Sequence, residues 1–270
     1  MTEIVLLPGP PRELRPLFED AVLPRLKDRG RNRVFRTERI LVAGLPESAV
    51  EEKIGPIYSG VKNPQTSLLA SGGQVEIRLT ARGESFDEAG SLLEELRVRI
   101  RTALGHHIFS EDGELLEEVV GRLLTVTKKT ISIAESCTGG LITHRLTEVA
   151  GSSRYLERGY VTYSNESKVQ LLGVPEKLLT EGGAVSEDVA LAMARGVRHA
   201  SGTDLGLAVT GIAGPGGGSA EKPVGLVYVA LSDGNVEKAH RYLLPGNRSQ
   251  VKSWTAQLAL NLLRMRLLSM

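Results

Sequence analysis

Cysteine is nearly absent: the 270-residue chain carries one, Cys137. A single thiol excludes an intrachain disulfide framework and a multi-thiolate zinc site, and such usage suits a reducing compartment. Aromatic residues make up only 4%, so any core must be aliphatic. Neither sign of charge is in excess, with 33 Lys and Arg against 32 Asp and Glu and a formal net charge of +1. That balance gives no general attraction to nucleic acid or to an anionic membrane. Long apolar runs are missing as well. No stretch approaches the roughly 20 apolar residues of a membrane span, and Met1-Thr2-Glu3 lacks the basic start of a signal peptide. A soluble, cytoplasmic chain with no membrane partner is expected. What is present, 41% hydrophobic and 24% charged residues, is an ordinary globular mix. A chain of this length buries roughly three quarters of its unfolded surface and can divide into two domains.

Residues 3–7 read as a short strand ended by Pro8-Gly9-Pro10-Pro11. Leu14, Leu17, Phe18, Ala21 and Val22 keep helical spacing, with Pro16 and Pro24 interrupting it. The basic stretch 25–36 reads as a solvated connector. Residues 36–112 form a small α+β module in this reading. A strand over 39–44 and a helix over 48–54 precede two runs, 67–70 and 74–81, that flank the hairpin signal Ser71-Gly72-Gly73. Val75, Ile77, Leu79 and Ala81 alternate with polar residues, so one face is buried. Ser85 caps a helix that Gly105 stops, and 107–109 closes the sheet. The order β-α-β-β-α-β is ferredoxin-like or a related split unit.

Asp112-Gly113 is the best boundary, and residues 113–270 alternate helices and strands. The expected fold class is therefore α/β, a layered α/β/α C-terminal domain behind a small N-terminal α+β module. Strands are expected over 130–134, 159–163, 205–210 and 225–231. Ser186 caps a helix with acids in its first turn, and Val251, Trp254, Leu258, Leu262 and Met265 mark one face of a long terminal helix.

Four segments can carry chemistry. The first, Ala134 to Gly140, lies between a strand and a helix, where open α/β sheets bind ligands. The helix N-terminus would offer N–H groups to an oxyanion or phosphate, and the Ser136 hydroxyl could attack a carbonyl held there. Thr138, Gly139 and Gly140 would line it. The same residues also read as an ordinary N-cap with glycines packing helix on strand. The second, Val161 to Lys168, repeats the pattern. Lys168 falls near a helix first turn, where the dipole and partial burial would lower its pKa and free a neutral amine as a base. Tyr163 could relay a proton and Asn165 could contact a ligand. A lysine that simply points at solvent is the plainer reading.

The third, Ala208 to Gly218, holds Thr210, Gly211, Gly214 and Gly216 in a glycine-dense loop that can bring backbone N–H groups to an anion. No Gly-Lys-Ser/Thr follows, so it is not a P-loop, and a flexible connection has the same composition. The fourth is Arg248, whose fork at the mouth of the last helix could pair with a phosphate or merely with solvent-screened neighbours. The five histidines show no zinc-ligand spacing. Cys137 beside Ser136 could itself be a nucleophile activated at a helix N-terminus, or a small core residue.

Together these segments resemble the CinA family, specifically its C-terminal domain. The match rests on AESCTGG (134–140), VTYSNESK (161–168), GAVS (183–186), AVTGIAGPGGG (208–218) and PVGLVY (223–228), and extends over about residues 113–270. The resemblance implies hydrolysis of the carboxamide of nicotinamide mononucleotide to nicotinic acid mononucleotide and ammonia, with no cofactor and no metal. It implies Ser136 as nucleophile and Lys168 as general base, places Tyr163 and Thr210 in the catalytic cluster, and matches Arg248 to an arginine near the terminal helix. Asn247 departs from the pattern, standing where an acid is expected. A homodimer and a small nucleotide substrate are implied too.

Residues 36–112 resemble the family's KH-type module, and 1–35 resemble the end and connector of its molybdopterin-binding-like domain, most of which is missing. The chain is thus expected to be truncated at its start and to lack that domain's pyrophosphatase activity. The KH-like order raises nucleic-acid binding as a competing function. No basic Gly-x-x-Gly loop occurs in the module, so no strong nucleic-acid binding is expected. Two more functions compete with the amidohydrolase: an amidase for a different small substrate, and a non-catalytic nucleotide-binding protein.

Overall fold

The computed structural model of the protein describes residues 4–29 and 34–270. Helix α1 (Pro11–Leu17), a π-helical turn (Phe18–Val22) and helix α2 (Leu23–Arg29) make one helical run that passes through both prolines. A proline removes one i→i−4 bond and crowds the turn before it; the wider π turn lies between the two, and the run continues instead of stopping. The strand expected at 3–7 is not formed at residues 4–7, and Glu3 lies outside the described residues. No strand pairs with this segment among the described residues, and a lone strand leaves its N–H and C=O groups without a ladder. Of the connector expected at 25–36, residues 30–33 lie outside the described residues; α2 takes those before and β1 those after.

Strand β1 (Val34–Ala43), helix α3 (Glu47–Tyr58), strands β2 (Gln65–Ser71) and β3 (Gln74–Gly83), helix α4 (Phe86–Leu104) and strand β4 (Ile108–Ser110) follow in the expected order. They build an antiparallel sheet of order β2-β3-β1-β4. The alternating residues of β3 pack on Leu93, Leu96 and Ile100 of α4. The Ser85 hydroxyl accepts from the Glu88 N–H at 3.1 Å, which caps α4, and Gly105 ends it. Strand β1 begins five residues before the expected 39. Its first half pairs fully with β3 but stays mostly exposed, so no apolar alternation betrays it.

Beyond Ser110, helix α5 (Leu116–Thr127) leads to strand β5 (Ile131–Glu135), helix α6 (Leu141–Thr147) and strand β6 (Leu156–Val161). Helices α7 (Asn165–Leu172), α8 (Glu176–Gly182) and α9 (Glu187–Ser201) come next, then strands β7 (Leu205–Gly211), β8 (Leu226–Ser232) and β9 (Glu237–Leu243), and helix α10 (Arg248–Leu268). The mixed sheet runs β6-β5-β7-β8-β9, parallel across β6, β5 and β7 and antiparallel beyond. Ile131, Ile133, Leu205, Leu207 and Val229 face α5, α6 and α10, while Ala134, Ala208 and Ala230 face α7, α8 and α9. The sheet is thus the middle of three layers. Strand β9 is an addition to the sequence reading; its edge position leaves it largely exposed.

On α10 Val251, Thr255, Ala256, Ala259, Leu260 and Leu263 are fully covered and Leu267 nearly so, while Trp254, Leu258, Leu262 and Met265 are only half-buried. The expected apolar face is therefore displaced. The helix is covered from two directions, because the β2–β3 hairpin also reaches it. A Cβ on Gly73 would stand 3.0 Å from Trp254 Cδ1, and Gln257 Nε2 donates to Gln74 Oε1 at 3.2 Å. Farther along, buried Arg264 donates to the carbonyls of Ile108 and His106 at 3.2 and 2.6 Å. Leu41, Ala43 and Phe109 join the same apolar cluster as Leu260 and Leu263. No described helix is long and apolar enough to cross a membrane.

Candidate active site

Strands β5, β6 and β7 are parallel, so their carboxyl ends share one edge of the sheet, the edge at which such folds bind ligands. Ser136 follows β5 directly. Its N–H donates to the Val209 carbonyl at 3.0 Å, which keeps it aligned with β7, and it is 8% exposed. Gly139 and Gly140 then adopt φ of 62° and 95°. Glycine alone takes such angles at no steric cost, and the pair turns the chain into α6.

Three of the N–H groups at the start of the helix behind that turn are already taken. The fully buried Glu135 carboxylate accepts from the N–H of Gly140 (3.0 Å), Ile142 (3.1 Å) and Thr143 (2.7 Å), and from the Thr143 hydroxyl (2.7 Å). At these three N–H groups the position expected for an oxyanion or phosphate is filled by this carboxylate, a built-in anion. Sequence reasoning passed over Glu135; an acid at a strand end ahead of Gly-Gly and a helix is the signal for it.

Lys168 comes from α7, across β6. The Ser164 hydroxyl caps that helix by accepting from the Ser167 N–H at 3.0 Å. The lysine side chain folds back toward the helix start, and its Nζ lies 3.3 Å from Ser136 Oγ. It also donates to the carbonyl of Thr162 at 2.8 Å and reaches those of Tyr163 and Ser164 at 3.4 Å. Lys168 is 1% exposed, and this burial pushes its amine below the ordinary lysine value. The expected direction is present, with burial as its cause.

Arg248 ties three elements together. Its Nη1 donates to the Gly214 carbonyl at 3.0 Å and its Nη2 to the Tyr163 hydroxyl at 2.9 Å. Tyr163 is 58% exposed. Asn247 caps α10, its side chain accepting from the Gln250 N–H at 3.0 Å while Gln250 Oε1 accepts from the Asn247 N–H at 2.9 Å. Asn caps as well as Asp does, so the departure at 247 keeps the helix start.

Other expected residues stand at more distance from this centre. The buried Thr210 hydroxyl donates to the Ala184 carbonyl at 2.7 Å, and no described contact joins it to Ser136 or Lys168. Lys222 donates to the carbonyls of Gly182 and Val185, so the 182–186 loop is held from two sides. Asn165 is exposed at the start of α7. Gly211 ends β7, Gly214 is bound through Arg248, and Gly216 faces open space. Thr138 is fully buried, and its Oγ1 has no partner among the described residues.

Cys137 is not available as a nucleophile. It is 4% exposed and packs with Ala213, Val227 and Val251, and burial pushes its thiol up to about 12. Among the described residues no three His, Cys, Asp or Glu are grouped to hold a metal ion.

The family model for the CinA C-terminal domain matches residues 113–267, and that for the damage-inducible protein CinA KH domain matches 37–110. A Moorella thermoacetica chain, provisionally named competence-damage inducible, is 49% identical over 259 residues, covering 96% of this chain and 62% of its own length. A CinA-like protein of Koribacter versatilis is 40% identical, covering 98% of this chain and 64% of its own length. The chain therefore spans under two thirds of these curated relatives. Among solved structures, the competence/damage inducible protein CihA from Agrobacterium tumefaciens is 43% identical over 57% of this chain and 96% of its own, with a TM-score of 0.52. A CinA superfamily protein from Klebsiella pneumoniae is 30% identical over 57% and 97%, with a TM-score of 0.56. With both of its modules matched by the family's own models, the chain belongs to the CinA family.

Proposed function

We propose that the C-terminal domain hydrolyses the carboxamide of nicotinamide mononucleotide, giving nicotinic acid mononucleotide and ammonia. The observation that carries this reading is the Ser136–Lys168 pair, a buried amine 3.3 Å from a hydroxyl at the ligand-binding edge of the sheet. An amide is a weak electrophile and requires an activated nucleophile. Neutral Lys168 takes the Ser136 proton as Oγ attacks the carboxamide carbon. The resulting ammonium then protonates the departing nitrogen, which leaves as ammonia, and an ester to Ser136 remains. A water attacks that ester and gives a proton to Lys168, which passes it to Ser136 Oγ as the acyl bond breaks, so the free carboxylic acid leaves and neutral Lys168 and the serine hydroxyl are restored.

The carbonyls of Thr162, Tyr163 and Ser164 receive the transient ammonium, so the charge is not stranded in the interior. Arg248 joins Tyr163 to the glycine loop, and binding of the nucleotide away from the amide orients the reacting group. Incubation of the purified chain with nicotinamide mononucleotide, followed by ammonia and product assays, is the test. Equal amounts of ammonia and nicotinic acid mononucleotide are expected; neither product at high enzyme concentration would refute the reading.

A further inference from the structure

The small sheet carries its own helices on one face only. Ile40 and Val42 of β1 and the alternate residues of β3 point to α3 and α4 and are buried there. The other face is divided. At one end Leu41, Ala43 and Phe109 enter the core of the C-terminal domain. The rest, built on the first half of β1 and the second half of β3, stays open: Phe35, Thr37, Arg39, Arg78 and Arg82 are all exposed.

The register puts Arg39 directly opposite Arg78 and Phe35 directly opposite Arg82. The Thr37 and Thr80 hydroxyls between these pairs lie 3.1 Å apart, so the side chains share a face. Like charges directly opposite each other in a sheet are destabilising. Glu76 answers one of the two, accepting from Arg78 at 2.8 and 3.1 Å. The Arg39 and Arg82 side chains have no hydrogen-bond or ion-pair partner among the described residues. Lys62 joins them. Asn63 bonds both backbone groups of Arg82, at 2.7 and 2.8 Å, and so holds the loop that bears exposed Lys62 beside the second arginine. Acids on the boundary segment are taken, Glu111 by Arg101, Glu114 by Arg122 and Asp112 by the Ser110 hydroxyl. Three unengaged cations are thus gathered around Phe35, a ring left 65% exposed.

A chain that alternates phosphates with flat unpaired bases matches this combination, since phosphates meet the cations and a base stacks on the ring. We propose that the open face of the small sheet binds single-stranded nucleic acid, with Phe35 as the stacking platform and Arg39, Arg82 and Lys62 as phosphate contacts. This surface is not the one a Gly-x-x-Gly loop would form. The even charge of the whole chain conceals it, because these bases collect on one side of one module. Duplex is a poorer fit, since its bases are stacked on each other and offer Phe35 no face.

The test titrates the full chain into a fluorescein-labelled oligothymidylate of about 15 nucleotides, with anisotropy read from about 50 to 200 mM salt. Three phosphate contacts predict a slope of about −2 for log affinity against log salt. Arg39→Gln and Arg82→Gln are each expected to weaken binding at low salt and to flatten that slope by about 0.7. Phe35→Ala is expected to lower affinity about 5- to 150-fold with the slope unchanged. All three residues are exposed, so each variant should keep the wild-type Tm. None belongs to the Ser136–Lys168 site, so ammonia release should be unchanged. Absence of binding by wild type at low salt overturns the proposal, as does equal binding by wild type and all three variants. Equal affinity for a duplex of the same length also overturns it. So does displacement of the oligothymidylate by oligoglutamate at equal charge, which would mark a face for acidic polypeptides.

Discussion

Two junctions in the C-terminal domain look alike on paper, since each runs from a strand through a polar turn into a helix. At the β5–α6 junction the strand itself supplies the anion, and Glu135 takes three N–H groups at the helix start. At the β6–α7 junction a serine caps the helix, and the three carbonyls ahead of it turn inward to hold the Lys168 amine. One junction carries its own carboxylate beside Ser136; the other collects acceptors around a buried lysine. Similar local sequence thus yields opposite electrostatics, decided by whether the acid or the hydroxyl reaches the helix N–H groups first.

Four substitutions probe this contrast. Ser136→Ala should have the largest effect, lowering kcat for nicotinamide mononucleotide by roughly 10⁴- to 10⁶-fold, the scale seen when an activated serine is removed, with an unchanged circular dichroism spectrum. Ammonia release at the wild-type rate would disprove the nucleophile. Lys168→Met should lower kcat by at least about 10³-fold and remove a pH dependence of stability. The Lys168 pKa is lowered in the folded protein, so between its folded value and the ordinary lysine value the unfolded chain binds the extra proton. Stability therefore rises with pH across that window. Denaturant titrations at several alkaline pH values should show the rise in wild type and a flatter profile in Lys168→Met.

Glu135→Gln tests the β5–α6 junction. The amide can accept with its oxygen, but its NH₂ faces donors, so buried N–H groups lose their acceptor. A loss of about 3 kcal/mol is expected, read as a drop of about 10 °C in Tm for a domain of this size. An unshifted Tm would show that the carboxylate is dispensable. The smallest effect belongs to Cys137→Ala, which should keep most activity and cost about 1 kcal/mol. In the native wild type the thiol should resist alkylation and should react fully only after unfolding; rapid labelling at neutral pH would contradict its burial.

The local rules served well where one residue decides the matter. The Ser85 cap, the Gly105 stop, the Ser71-Gly72-Gly73 hairpin and the alternation of β3 were legible because each rests on near neighbours. The pairing of Ser136 with Lys168 was legible as a resemblance, and its geometry required the sheet order that puts β6 next to β5. Glu135 was missed because its partners lie on the far side of two glycines. The buried state of Cys137 was undecidable from its neighbours, since Ala213, Val227 and Val251 arrive from three distant segments. The α10 faces were misassigned because Gln257 and Arg264 are buried by polar contacts to the small module, which hydropathy cannot register.

That last helix also decides how the molecule would come apart. With Leu41, Ala43 and Phe109 sharing a core with Leu260 and Leu263, and the Arg264 guanidinium gripping carbonyls of the opposite module, the two sheets are not beads on a string. Scission of the chain near residue 112 would bare apolar surface on both pieces and strand a buried cation, so the pair should melt as a single cooperative unit.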